Sequence, residues 1–138
     1  MSEEEKFDDF IQDLVDHNEK QYGNEMRSKY GDDAIDSSNA KLMNITEEQY
    51  ALSEELAADV NEALKLAFEQ GDPSSELAQK ACELHKKWLC CFWTNYTKEA
   101  HIGVTQMYTT DVRFRAYYDS IAKGCAEFLR DAVAIYCK

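Results

Sequence analysis

The chain has 138 residues, the length of one domain with a single hydrophobic core; 44% of them are hydrophobic and 30% are charged. One proline and five glycines are too few for a turn-rich β protein and favour long helices, so the predicted fold class is all-α. Fifteen basic and 27 acidic residues give a formal net charge of -12. Such a surface repels phosphate backbones, so direct nucleic-acid binding is not expected.

Export and membrane insertion are not expected either. No apolar run reaches the roughly 18 to 20 residues that cross a bilayer, and Met1 is followed by Ser2 and three glutamates, where a signal peptide would carry basic and apolar regions. The five cysteines are odd in number, and most lie in apolar helical rows. We therefore expect a cytoplasmic protein with reduced, buried thiols.

The first 44 residues are predicted to form an acidic helical arm and a linker. Ser2 and Glu5 form a capping box at the start of a helix. Its buried stripe is predicted to comprise Phe7, Phe10, Ile11, Leu14 and Val15. A second stripe, made of Tyr22, Met26 and Tyr30, is thin and buries little area, so the arm is expected to be mobile. The polar residues from Gly31 to Asn44 predict the linker.

Residues 45–138 are predicted to form the helical core. Thr46 and Gln49 make a second capping box, opening a helix that Gly71 closes. Asp72 and Pro73 have the order of an N-cap and an N1 proline, so the next helix is expected to start there at once. That helix carries the apolar and aromatic positions Leu77, Ala81, Leu84, His85, Trp88, Leu89 and Phe92.

Three further helices are predicted beyond residue 92. Thr94-Asn95 marks either an interruption or a bend, and a helical stretch then runs from Tyr96 to Tyr108. Thr109-Thr110 is predicted to cap a short helix that contains Phe114 and Tyr118. Lys123-Gly124 supplies the break before the final helix, whose apolar spacing is the most regular in the chain.

The C-terminal helices are rich in aromatic and imidazole side chains. Small-molecule pockets are mostly apolar and aromatic, with a few placed polar groups. Packing in the core is the simpler explanation for any single one of these residues, but the set favours a ligand-binding cleft between helices. The predicted site comprises His85, Trp88, Leu89, Phe92, Tyr96, His101, Tyr108, Phe114 and Tyr118.

Catalysis, metal binding and cofactor binding are not expected. Cys90 and Cys91 lie five and six helical positions after His85 and so face away from it, which argues against an enzyme with Cys/His chemistry. Adjacent cysteines and isolated histidines do not supply the converging ligands of a zinc site. His85 or His101 could serve as a haem ligand, but so acidic a chain disfavours the haem propionates.

An ordered series of short motifs resembles the TipAS family of antibiotic-recognition domains. The C-terminal motifs are His85-x-x-Trp88, Tyr96, His101, Met107-Tyr108, Asp111-x-Arg113-Phe114, Tyr118-Asp119, Gly124-x-Ala126 and Phe128-Leu129-Arg130-Asp131-Ala132. Upstream, Tyr30-Gly31, Thr46-Glu47-Glu48 and Gly71-Asp72-Pro73 fit the same pattern, so the resemblance covers about residues 19–137.

The resemblance implies an all-helical, globin-like fold without haem that closes around large, often peptide-derived antibiotics. Such domains are commonly the effector half of MerR-type transcriptional regulators, and free-standing ones hold the drug out of circulation. Both roles are expectations for this chain. In either role the acidic arm would act as a lid, through Phe10, Tyr22, Met26 and Tyr30.

The chain departs from the family at one position. Members that capture thiopeptides covalently use a cysteine just after the histidine that corresponds to His101, whereas Ile102, Gly103 and Val104 stand here. The expected binding is therefore non-covalent. The alternative function is a protein-interaction module that docks a partner helix. Oligomeric state is left open, with a homodimer among the alternatives.

Overall fold

The structure is a computed structural model that describes residues 2–138, except for the side chains of Glu3, Glu4, Gln21, Tyr22, Glu25, Lys29 and Tyr30. Seven α-helices follow one another in this part of the chain: α1 (Glu3–Tyr30), α2 (Asp32–Met43), α3 (Glu47–Gln70), α4 (Glu76–Phe92), α5 (Lys98–Thr110), α6 (Val112–Asp119) and α7 (Cys125–Tyr136). They form two compact units. Unit 1 comprises residues 1–52 and 91–94, and unit 2 comprises residues 53–90 and 95–138.

Unit 1 is built on α1 and α2. The Ser2 hydroxyl accepts a hydrogen bond from the Glu5 amide at 3.1 Å, as the capping box predicts. The apolar core of the unit combines Ile11 and Val15 of α1 with Leu42 and Ile45. Phe7, Leu14, Tyr50 and Phe92 pack against these four side chains. The described α1 side chains that contribute to this core therefore all lie in the first half of the helix.

The predicted linker from Gly31 to Asn44 is wrong, because Asp32–Met43 is a helix. Gly31, at φ +90, ends α1, and Asp32 and Asp33 then occupy the first turn of α2, where carboxylates favour the helix dipole. Arg27 donates hydrogen bonds to Asp32 at 3.2 Å and to Asp36 at 2.8 Å, which ties the two helices across the corner. The polar composition thus reflects a largely solvated helix.

The second half of α2 also holds the end of α4. Ser38 donates to the backbone carbonyl of Phe92 at 3.0 Å, and Lys41 donates to that of Trp93 at 2.9 Å. Carbonyls at the C-terminal end of a helix have no partner within the helix. These two side chains supply donors for that end and bring residues 91–94 into unit 1.

The capping box that precedes α3 is confirmed in both directions. The Gln49 amide donates to the Thr46 hydroxyl at 3.1 Å, while the Thr46 amide donates to the Gln49 side chain at 3.0 Å. In unit 2, α3 buries Val60, Ala63, Leu64 and Ala67. Gly71, at φ +78, follows the last residue of the helix, as predicted.

Two predicted helix starts are wrong by a few residues. The helix expected at Asp72-Pro73 begins at Glu76, because Asp72 accepts hydrogen bonds from the Ser74 amide and hydroxyl in a turn. The Ser75 hydroxyl, 3.2 Å from the Ala78 amide, caps α4 instead. Likewise, Asp111 caps α6 through the Arg113 amide at 2.9 Å, and Thr110 belongs to α5.

Residues 93–97 interrupt the helix between α4 and α5.

The interior of unit 2 centres on α7, which Gly124, at φ +99, precedes. The buried positions of α7 are Cys125, Ala126, Phe128, Leu129, Ala132 and Val133. The Phe128 ring meets that of Phe68 edge to face at 5.6 Å. Each large apolar side chain buried here stabilises the unit by about 1.5–3 kcal/mol.

Candidate functional site

A pair of hydrogen-bonded histidines lies inside unit 2. The distance from Nδ1 of His85 in α4 to Nε2 of His101 in α5 is 2.8 Å. The second nitrogen of each ring contacts a tyrosine hydroxyl. Nε2 of His85 lies 3.3 Å from the Tyr108 hydroxyl, and Nδ1 of His101 lies 2.7 Å from the Tyr96 hydroxyl. Both imidazoles are buried, so all four ring nitrogens find protein partners rather than water.

Both histidines are neutral at physiological pH. Burial lowers the pKa of His85, and the neighbouring imidazole of His101 lowers it further. Burial also lowers the pKa of His101, and the ammonium group of Lys86 adds to that effect. A neutral imidazole offers one donor and one acceptor. The pair therefore acts through directed hydrogen bonds and not through charge.

Aromatic rings surround this pair. Trp88 stacks on His85 with ring centroids 5.8 Å apart, and the Tyr108 ring meets His85 edge to face at the same distance. Tyr108 also contacts Phe114 at 5.4 Å and Tyr118 at 4.7 Å. These contacts link α4, α5 and α6 in one aromatic cluster, to which aromatic pairing contributes about 0.5–1.5 kcal/mol per contact.

The predicted site residues differ in their accessibility. His85, Leu89, His101, Tyr108 and Tyr118 are all buried, with His101 at 0% exposure and Tyr118 at 5%. Trp88, Phe92, Tyr96 and Phe114 are partly buried. Phe92 belongs to unit 1, and the other eight belong to unit 2. In unit 2, the buried residues form a packed interior, and the rings of Trp88, Tyr96 and Phe114 provide its accessible margin.

The predicted lid residues lie in α1 of unit 1. Phe10 is 47% exposed and contacts the Tyr50 ring edge to face at 5.5 Å, so it does not belong to the buried stripe. Met26 is partly buried. The side chains of Tyr22 and Tyr30 lie outside the part of the chain that the structure describes.

Two residues near the histidines were absent from the predicted site. Cys137 places its sulfur 3.8 Å from Nδ1 of His101 and 3.9 Å from the Tyr96 hydroxyl. The Tyr136 ring meets His101 edge to face at 6.0 Å. Sequence spacing placed Tyr136 on the apolar face of the last helix, but nothing in the sequence indicated that the end of this helix reaches His101.

The cysteines are free thiols. Burial raises the pKa of Cys82 to about 12, and burial also raises the pKa of Cys125 and of Cys137. A raised pKa keeps these thiols protonated and poorly nucleophilic. Among the residues whose side chains the structure describes, no cluster of three or more metal-ligating groups is present, and no helix has the length and apolarity needed to cross a membrane.

Open space is found next to the histidine helix. No neighbouring atom would lie within 4 Å of a Cβ added to Gly103, which is two residues after His101 in α5. A cleft of about 460 Å³ also lies between α3 and α4 of unit 2, lined by Asp59, Glu62, Ala63, Leu66, Leu77, Lys80 and Leu84. In unit 1, a cleft of about 580 Å³ is lined by Phe7, Asp8 and residues 43–47. The predicted site residues line neither cleft.

Comparison with protein families identifies most of the chain. Residues 22–136 match the model of the TipAS antibiotic-recognition domain. The HTH-type transcriptional activator TipA of Streptomyces coelicolor is 29% identical over 135 residues, which is 96% of this chain and 52% of that protein. The HTH-type transcriptional activator mta of Bacillus subtilis is 22% identical over 127 residues, 92% of this chain and 49% of that protein. The chain thus spans about half the length of these curated relatives.

A solved structure is similar along almost the whole chain. It is TipAS from Streptomyces lividans in complex with nosiheptide, described as part of a thiopeptide antibiotic multidrug resistance system. The TM-score is 0.73 and the sequence identity is 27%, with 99% of this chain and 94% of that chain covered. The all-α, globin-like fold class expected from the sequence is confirmed.

Proposed function

Since this chain belongs to the TipAS antibiotic-recognition domain family, we propose that it binds a bulky thiopeptide-like or other peptide-derived antibiotic. The observation that carries the proposal is the similarity, over 99% of the chain, to a TipAS structure that holds the thiopeptide nosiheptide. The aromatic cluster of unit 2 supports it, because rings and fixed hydrogen-bonding groups are what a large, mostly apolar ligand requires.

Partly buried and fully buried residues have different roles in the proposed site. Trp88, Tyr96 and Phe114 are partly buried and offer ring faces or edges to the ligand. The buried residues His85, Tyr108 and His101 contact the rings of Trp88, Phe114 and Tyr96, respectively. The open space beside Gly103 allows a ligand to approach the backbone of α5 closely.

Binding is non-covalent in this proposal. Residues 102–104, which follow His101, contain no cysteine. The thiols of Cys82, Cys125 and Cys137 are buried and keep a raised pKa, so they are poor nucleophiles. Affinity then depends on buried apolar area and on hydrogen bonds.

The acidic arm becomes ordered when the antibiotic binds. In the first half of α1, Ile11 and Val15 are buried in the core of unit 1. Beyond them, Met26 is only partly buried. The described side chains of this segment thus bury little apolar area to offset about 1–2 kcal/mol of backbone entropy per ordered residue. A ligand that contacts this segment would supply the missing stabilisation.

The biological role is drug recognition in the cytoplasm, either as the effector domain of an HTH-type regulator or as a protein that sequesters the drug. The relatives TipA and mta are transcriptional activators about twice as long as the matched region. With a net charge of -12, this chain would leave DNA contact to another domain.

Nosiheptide titration tests the proposal. Calorimetry should show saturable binding, and the melting temperature should rise as ligand is added, since a ligand that binds the folded state stabilises it. Trp88 stacks on His85, whereas Trp93 lies in unit 1, so Trp93→Phe should keep the fluorescence quench and Trp88→Phe should lose most of it. A thiopeptide panel that gives neither heat nor a thermal shift would refute the proposal.

A further inference from the structure

The cleft between α3 and α4 of unit 2 shares no residue with the predicted antibiotic site. Four apolar and three charged side chains line it: Asp59, Glu62, Ala63 and Leu66 from α3, and Leu77, Lys80 and Leu84 from α4. Its volume is about 460 Å³, within the range of about 300–1,000 Å³ that is typical of ligand pockets. The cleft is therefore large enough to receive several side chains of a partner.

The leucines of this cleft retain apolar surface that a partner could bury. Leu66 is 44% exposed, and Leu77 and Leu84 are half-buried, whereas Ala63 is buried. Removing apolar surface from water is favourable in proportion to the area that is buried. An apolar group that occupies the cleft would thus be stabilised by contact with all three leucines.

The spacing of the lining residues suits an α-helix as the occupant. Leu77 and Leu84 are seven residues apart in α4, and Asp59 and Leu66 are seven residues apart in α3. Seven residues are about two helical turns, with a rise of about 10.5 Å along each wall. An amphipathic helix that docks in a groove presents its i, i+3, i+4 and i+7 side chains over the same length.

The charge of the α3 wall favours a cationic occupant. Asp59 and Glu62 are exposed, and neither forms a hydrogen bond or ion pair with another side chain that the structure describes. From Ser53 to Gln70, α3 carries five acidic residues and one basic residue, in a chain of net charge -12. Such a field attracts lysine and arginine side chains and repels a second copy of this chain.

We propose that the cleft between α3 and α4 docks a basic amphipathic helix of a partner protein. The apolar stripe of that helix packs against Leu66, Leu77 and Leu84. Its lysine or arginine side chains flank the stripe and pair with Asp59 and Glu62. The inference goes beyond the proposed antibiotic binding, and its test uses no antibiotic.

A pair of synthetic peptides tests the docking. The probe is a fluorescent peptide of about 18 residues, built from lysine with leucine at every third or fourth position, which is long enough to form a helix. The control peptide has the same composition in an order that gives no apolar stripe. Anisotropy is measured at about 0.15 M salt, which screens attraction between distant surface charges. We expect saturable binding of the probe and about tenfold weaker binding of the control peptide.

Two leucine variants locate the probe on the protein. Leu66 and Leu52 are both exposed on α3, at 44% and 51%, but of the two only Leu66 lines the cleft. Leu66→Asn should weaken probe binding by about five- to tenfold, because it removes apolar area from the contact. Leu52→Asn is the matched control and should bind as the wild type does. Thermal melts check that both variants fold.

Two charge variants test the cationic character of the partner. Glu62 and Glu69 are both exposed on α3, and Glu69 does not line the cleft. Glu62→Lys and Glu69→Lys change the net charge equally, so they weaken the general attraction of the chain for a cation to the same extent. Glu62→Lys should weaken probe binding by about three- to fivefold more than Glu69→Lys, because it also removes a local ion pair.

Each alternative result would overturn the proposal. If the wild type binds neither peptide, or binds both equally, the cleft does not dock a basic amphipathic helix. Equal affinities of the two leucine variants would place the probe elsewhere, and equal affinities of the two lysine variants would exclude a cationic contact at Glu62. Light scattering tests the remaining occupant: a wild-type dimer that Leu66→Asn converts to a monomer would assign the cleft to a second copy.

Discussion

Nδ1 of His85 lies 2.8 Å from Nε2 of His101, and neither imidazole reaches solvent. Both pKa values lie below the ordinary value of about 6.5 because burial penalises the charged form. The described groups that contact the pair are Trp88, Tyr96, Tyr108, Tyr136, Cys137 and the cation Lys86, and this set includes no carboxylate. None of these groups therefore supplies a negative charge that would offset the positive charge of a protonated imidazole.

We predict that the free energy of unfolding falls as the pH is lowered from 7 to 5. The unfolded chain takes up protons at these histidines below about pH 6.5 while the folded chain does not, so the slope approaches about 2.7 kcal/mol per pH unit for two histidines. Urea denaturation at several pH values measures this slope. A flat profile in the wild type would contradict the prediction.

Replacing Gly124 or Gly103 by alanine should change the stability of the folded chain in opposite directions. Gly124 has φ +99, where an alanine is strained, so Gly124→Ala should destabilise the chain by about 1–2 kcal/mol. Gly103 lies inside α5 with open space where an alanine would place its methyl group, so Gly103→Ala should stabilise the chain by about 0.5–1 kcal/mol. Thermal melts compare the two variants, and equal shifts of the same sign would refute this account.

No covalent adduct should form with a thiopeptide. Addition to a dehydroamino acid needs an accessible thiolate, but three of the five thiols are buried and keep a raised pKa, and residues 102–104 supply none. Intact-mass spectrometry after incubation with excess nosiheptide should return the mass of the free protein. A mass increase by one ligand would show that a thiol, most simply Cys90 or Cys91, reacts.

Antibiotic binding should slow hydrogen exchange in residues 17–44. Stabilisation of the second half of α1 and of α2 by ligand raises the free energy of local opening there. Exchange followed by mass spectrometry, with and without nosiheptide, measures the change. The N-terminal half of α3, held by the Thr46 capping box, serves as the internal comparison. Unchanged exchange in 17–44 at saturating ligand would exclude ordering of the arm.

Local signals in the sequence predicted much of the helical architecture. Capping residues such as Thr46 and breaks such as Gly124 act through nearby backbone groups, and the structure places them as expected. The error at residues 31–44 has a different origin. Polar composition suggested a linker, but Leu42 supplies the buried contact and Arg27 the ion pairs that stabilise α2. Tertiary contacts of that kind leave no local pattern.

The sequence indicated one local contact among the predicted site residues but not their tertiary arrangement. Spacing of three residues brought His85 and Trp88 onto one face, and the rings stack. The pairing of His85 with His101, and the approach of Cys137 to the latter, join residues 16 and 36 positions apart. Such distances in the chain are closed by packing, so neither composition nor periodicity could indicate them.

The contacts of Ser38 and Lys41 with the carbonyls of Phe92 and Trp93 have a practical consequence for any shortened version of the protein. A fragment starting at residue 45 would lose both donors while keeping the carbonyls, as well as Ile11, Val15 and Leu42 from around Phe92. Truncation there would expose the apolar side chain of Phe92, which packs against that core in the whole chain. A cut between residues 44 and 45, the boundary predicted from the sequence, is therefore unsuitable for isolating the C-terminal helices.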